Sequence, residues 1–82
     1  MFEIFEAYEN LLAAQKEFCN NATQPNIAKC EALEEDLITK LRKYDNYLEK
    51  EYELNALHGE YKEADSAKKR RESLHKKFAV FF

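Results

Sequence analysis

Apolar residues recur every three or four positions along most of this chain, the interval at which side chains stack on one face of a helix. Between Phe2 and Asn20 they are Phe5, Tyr8, Leu12 and Cys19, flanked by Ile4, Leu11 and Phe18, which predicts an amphipathic helix over about residues 2–20. Glu3, Glu6 and Glu9 fall in its opening turns, where carboxylates favour the positive end of the helix dipole. Asn20, Asn21, Thr23 and the single Pro at 25 then interrupt the pattern, so residues 21–25 read as a loop. Proline suits the first turn of the next helix, because the N–H it lacks would have no partner there.

The second apolar series is longer. Ile27, Cys30, Leu33, Leu37, Leu41, Tyr44 and Leu48 are followed, after a step in phase, by Leu54, Leu57, Tyr61 and Ala64. An unbroken helix from Asn26 to Phe78 would be on the order of 80 Å long, against roughly 28 Å for the first. The first helix is too short to cover that stripe, and exposed apolar stripes of such length are rare on monomers. The remainder must be buried by folding back or by a second copy of the chain. Three places offer a bend: Tyr44-Asp45-Asn46, where Asn46 and Glu49 resemble a capping box, His58-Gly59, and Asp65-Ser66. The pattern predicts a long helix from about 26 to between 58 and 65, a basic helix over about 66–78, and an apolar tail at 79–82. The step in phase argues for a short bundle over a long regular coiled coil. The expected fold is all-α, a single helical domain over 1–82. It is a helical hairpin with a long second helix, completed by a third helix or by dimerisation.

Composition points the same way. Of 82 residues, 48 are Ala, Leu, Glu, Lys, Arg, Gln or Met, and only 6 are Val, Ile or Thr. One Gly and one Pro leave no supply of hairpin turns for a sheet. With 45% hydrophobic and 35% charged residues and a mean hydropathy of −0.74, the chain is too apolar for a disordered acidic tail and too polar for a membrane span. Acidic residues near Met1, where a secretory signal carries basic ones, favour a cytoplasmic protein. In that setting Cys19 and Cys30 are expected as thiols.

Charge is distributed unevenly. Residues 1–36 carry 8 acidic and 2 basic side chains, net −6, and residues 37–82 carry 8 acidic and 11 basic, net +3. Lys68-Lys69-Arg70-Arg71, with Lys76 and Lys77, is the densest basic segment. Four consecutive helical residues point about 100° apart, so only part of the run faces any one groove. That restrains a nucleic-acid reading, as does a pI near 5.4. A membrane-surface role is disfavoured because the basic helix is short and the rest of the chain is acidic.

No residues point to catalysis, a metal or a cofactor. The acidic run Glu31, Glu34, Glu35 and Asp36 is explained by its place near a helix start. His58 and His75 have no cysteines at zinc spacing, and no glycine-rich loop exists to hold a phosphate. The aromatic residues are more informative. Tyr44, Tyr47, Tyr52 and Tyr61 do not all fit one helical face, so some must lie at a rim or interface, and tyrosine favours protein contacts. Phe78, Phe81 and Phe82 form an apolar end that must dock somewhere. The expected function is a non-enzymatic protein–protein interaction module, a regulator, adaptor or inhibitor, binding another protein or a second copy of itself as a homodimer. Its contact residues would be Tyr47, Tyr52, Tyr61, Phe78, Phe81 and Phe82. The alternative is a nucleic-acid-binding accessory protein using Lys69, Arg70, Arg71, Lys76 and Lys77.

Overall fold

A computed structural model describes residues 2–82 and contains three α-helices and no strand among them. Helix α1 spans Phe2–Asn20, α2 spans Gln24–Leu57 and α3 spans Tyr61–Lys77, with one turn of 3-10 helix at Ala79–Phe81. The fold is all-α, a helical hairpin with a long second helix completed by a third. No described helix is long and apolar enough to cross a membrane.

The break after α1 is built from polar residues. Thr23 starts α2, its carbonyl accepting from the N–H groups of Asn26 at 3.1 Å and Ile27 at 3.0 Å, while Asn26 Nδ2 donates to the Asn21 carbonyl at 2.7 Å. Pro25 sits in the first turn, where a missing donor costs nothing.

The second break is at Gly59. Its N–H donates to the Ala56 carbonyl at 3.2 Å, and the Glu60 N–H donates to the Asn55 carbonyl at 2.7 Å. This is the paired closure of a Schellman motif, which needs a left-handed residue at its centre, and Gly59 has φ +75. Helix α3 then begins at Tyr61, five residues before the expected 66. Asp65 and Ser66 lie inside α3, with Asp65 pairing to Lys69 at 3.0 Å, and Tyr44-Asp45-Asn46 lies inside α2. A Cβ added at Gly59 would meet nothing within 4 Å, so substitution there is opposed by backbone strain alone. Gly59→Ala is expected to lower stability by about 1 kcal/mol, and Gly59→Asn by less, since asparagine tolerates this conformation. Urea denaturation of the three proteins checks the order; equal midpoints would contradict the motif.

The chain divides into two compact units, Met1–Leu41 and Arg42–Phe82, with α2 contributing its first half to one and its second half to the other. In the first unit α1 and α2 run antiparallel. Lys29 pairs with Glu17 at 3.3 Å near the loop, and the charges of Glu3 and Glu6 act on Lys40 at the far end. Its buried residues are Ile4, Ala7, Leu11 and Ala14 of α1 with Leu37 and Leu41 of α2. The buried stripe of α1 is thus turned by one residue from the expected Phe5, Tyr8 and Leu12. Small Ala7 and Ala14 alternate with Ile4 and Leu11 and permit close helix approach, while the bulkier Phe5 and Tyr8 are half-buried at the margin and Leu12 is exposed. Cys19 and Cys30 are both unbonded.

In the second unit the last part of α2 and α3 form another antiparallel hairpin. Leu48 of α2, Ala64, Ala67 and Leu74 of α3, and Phe78 beyond it are buried. Phe78 donates its N–H to the Leu74 carbonyl at 3.0 Å and accepts from Phe81 at 2.9 Å, which sets the closing turn.

Candidate interaction surface

Once the reversal is placed at Gly59, residues at similar distances on either side of it face one another across the second hairpin. Asp45 therefore meets Arg71 and His75. Arg71 donates from Nε to Asp45 Oδ1 at 2.8 Å and from Nη2 to Oδ2 at 3.4 Å, and Nη2 also lies 3.9 Å from Glu49 Oε2. His75 Nε2 reaches Asp45 Oδ1 at 2.6 Å. An ionised carboxylate only accepts, so this ring nitrogen carries the hydrogen. Burial alone would raise the Asp45 carboxyl, but hydrogen bonds from Arg71 and His75, with their charges, hold it below the usual carboxylate range. The same hydrogen bond raises the Arg71 guanidinium. The cluster locks the register of α3 on α2.

The clamp also seats the chain end. The Phe82 ring stacks on His75 with centroids 4.0 Å apart and planes 13° from parallel. Phe78 is 2% exposed, with Lys77 Nζ 5.9 Å from its ring centre. Phe81 is half-buried. Phe78 thus fills the interior of the unit instead of standing ready for a partner, because it continues the buried spacing of Ala64, Ala67 and Leu74. Val80, at 92%, is the most exposed apolar residue of the tail.

What this unit leaves uncovered is the outer side of α2 and the turn after it. Tyr47, Leu54, Leu57 and Tyr61 are 55%, 54%, 79% and 72% exposed. Tyr47, Lys50, Leu54 and Leu57 follow a three–four–three spacing, which aligns them along one face of α2. Tyr52 is also exposed but lies about 140° round the helix from Tyr47, so it does not belong to this face. Tyr44 stacks on Tyr47 at 6.2 Å and fixes its base. Leu54 and Leu57 are contact candidates that the apolar pattern assigned to the buried stripe. The sign of their different role was the step in phase after Leu48: beyond it Glu51, Asn55 and Ala56 take the half-buried positions.

The basic residues are only partly gathered: Lys69 and Arg70 line one open groove with Lys62, and the others lie apart from it. Arg71 is held by Asp45, and Lys69 pairs with Asp65. Arg70 also lines an open groove of about 240 Å³ with Glu51, Asn55, Glu63 and Ser66, and Tyr47 stands at its edge. Lys76 and Lys77, in the last turn of α3, suit the negative end of its dipole. Among the described residues no group of three or more His, Cys, Asp or Glu is placed to hold a metal ion. No protein-family model matches the sequence, and no curated protein or solved structure is significantly similar to it.

Proposed function

We propose that this chain is a small, non-enzymatic protein–protein interaction module of the cytoplasm, a regulator, adaptor or inhibitor that occupies a partner's surface with the outer face of α2. The observation that carries the reading is the exposure of Leu54 and Leu57 in line with Tyr47, beside Tyr61 at the turn. Burying a leucine side chain that water now surrounds contributes roughly 1.5–3 kcal/mol, and tyrosine is among the residues that dominate binding hot spots. The face is also presented on a rigid support. The Asp45 cluster and the buried Leu48, Leu74 and Phe78 hold α2 against α3, so little ordering is needed on binding.

The test compares two variants. A partner retained by the immobilised wild-type chain, then purified, is expected to bind the Leu54→Ser/Leu57→Ser protein at least tenfold more weakly and the Lys69→Ala/Lys76→Ala protein unchanged. The reverse pattern, or binding of single- or double-stranded DNA that falls steeply with salt, would overturn this reading in favour of a nucleic-acid role. Equal binding by both variants would overturn it as well.

A further inference from the structure

We infer that the occupant of the outer α2 face is a second copy of this chain, in an antiparallel helix pair about a two-fold axis that crosses the face midway between Lys50 and Leu54. The inference rests on the docking role just proposed and names its partner. Three observations point to self-association.

The spacing of Tyr47, Lys50, Leu54 and Leu57 is that of the inner positions of a heptad, a pattern whose complement is another helix with the same spacing. A face that pairs with its own copy meets the requirement of a two-fold interface, in which each contact occurs twice.

The exposed apolar area fits a weak dimer. With the exposures given above, Tyr47, Leu54, Leu57 and Tyr61 together offer on the order of 500 Å², near the upper end of what single monomers leave open. Two copies then bury about 1,000 Å², the lower bound for a specific protein contact.

The charges on the face complement themselves. Lys50 interrupts the apolar row, with Glu51 and Glu53 to either side of the row. An antiparallel pairing that sets Tyr47 against Leu57 of the second copy sets Lys50 against Leu54 of that copy. Each Lys50 then lies within one helical turn of Glu51 and Glu53 across the axis. A lysine at an inner heptad position lowers affinity but selects register, and here the two acids answer it.

Light scattering of the full chain under reducing conditions, from about 10 µM to about 1 mM, tests this directly, since reductant removes any dimer bridged through exposed Cys19. The wild-type mass is expected to rise from 9.7 kDa towards twice that value. Leu57→Glu should remain monomeric, and Lys50→Glu should weaken association at least tenfold. The Lys50→Glu/Glu53→Lys protein, with that pairing reversed, should recover much of it. Helicity by circular dichroism should be unchanged in all three, since Leu57, Lys50 and Glu53 are all exposed. A wild-type mass that stays at one chain up to 1 mM would overturn the inference. So would a dimer indifferent to Leu57→Glu, or a charge reversal that restores nothing. If self-association fails these tests while Leu54→Ser/Leu57→Ser still abolishes binding of a different protein, the docking role stands and only the second copy is excluded.

Discussion

Phe78→Ala is expected to unfold the second unit at temperatures where the wild-type chain is intact. Phe78 is 2% exposed and among the largest fully buried side chains, at the end of a row that includes Ala64, Ala67 and Leu74. Two of those residues are alanines, so much of the volume in this interior comes from Leu48, Leu74 and Phe78. Truncating a buried phenylalanine costs about 3–5 kcal/mol, and a chain of this size has a total stability of roughly 4–12 kcal/mol. The substitution thus removes a large share of what holds the hairpin. In a domain this small each kcal/mol corresponds to about 4–8 °C, so the melting temperature should fall by more than about 12 °C. Phe78→Leu, which keeps most of the volume, should lose far less. Thermal melts followed by circular dichroism check both. A Phe78→Ala protein melting within about 3 °C of the wild type would mean that Phe78 serves an outside partner and not the core.

Asp45→Ala is the second large effect, expected at about 2 kcal/mol near pH 7, because hydrogen bonds to a charged group contribute roughly 1.5–3 kcal/mol and this carboxylate accepts from both Arg71 and His75. Arg71 and His75 are each more than one-third exposed, so water re-solvates them in the variant and the loss stays below that of a fully buried pair. The effect should depend on pH in one direction. The folded-state carboxyl of Asp45 ionises below its unfolded value, near 3.9. The folded protein therefore binds fewer protons at this site than the unfolded chain does. Its stabilisation is complete above about pH 5 and is lost as the pH falls through the folded value. Urea midpoints of wild type and variant should differ most above about pH 5 and draw together as the pH falls below the unfolded-state value near 3.9. A gap that persists undiminished at low pH would show that the variant suffers from lost packing and not from a lost ion pair.

Much of the fold was legible because its punctuation lies in single residues. Pro25 with its asparagine and threonine neighbours marked the first reversal, and Gly59 carries the one positive φ of the described backbone. What the one-dimensional pattern could not place was which of several breaks would be used. Asp65-Ser66 resembles a helix start as strongly as His58-Gly59 resembles a helix end, and only the closure through Asn55 and Ala56 decides between them. In α1 the flanking Ile4 and Leu11 are buried and Phe5, Tyr8 and Leu12 are not, because the buried stripe is completed by Ala7 and Ala14, whose small size the apolar spacing does not reveal.

The surface was legible in part. Tyr47 is exposed where its spacing left it outside the stripe, Tyr61 is exposed although its spacing placed it within the stripe, and Tyr52 is exposed on a different side. Leucine at helical spacing is usually buried, and Leu54 and Leu57 depart from that rule. Their exposure follows from the turn at Gly59, since α3 returns along the opposite side of α2. The Asp45 cluster joins residues 26 and 30 positions apart, a relation that exists only after the turn is fixed. The Phe78–Phe82 end divides by position. Phe78 belongs to the interior, and Phe82 stacks on the face of His75 while remaining 46% exposed.

Hydroxyl-radical footprinting of the dilute chain, read residue by residue by mass spectrometry, tests most directly whether α2 carries an uncovered apolar face. Leu54, Leu57 and Tyr61 should be oxidised several-fold faster than the chemically matched buried residues Leu41, Leu48 and Leu74, after allowance for intrinsic tyrosine reactivity. Raising the concentration into the range of association should then protect Leu54 and Leu57 while leaving Val80 unchanged. Leu54 and Leu57 as protected as Leu48 in the dilute chain would contradict the open face, and with it the docking function built on it.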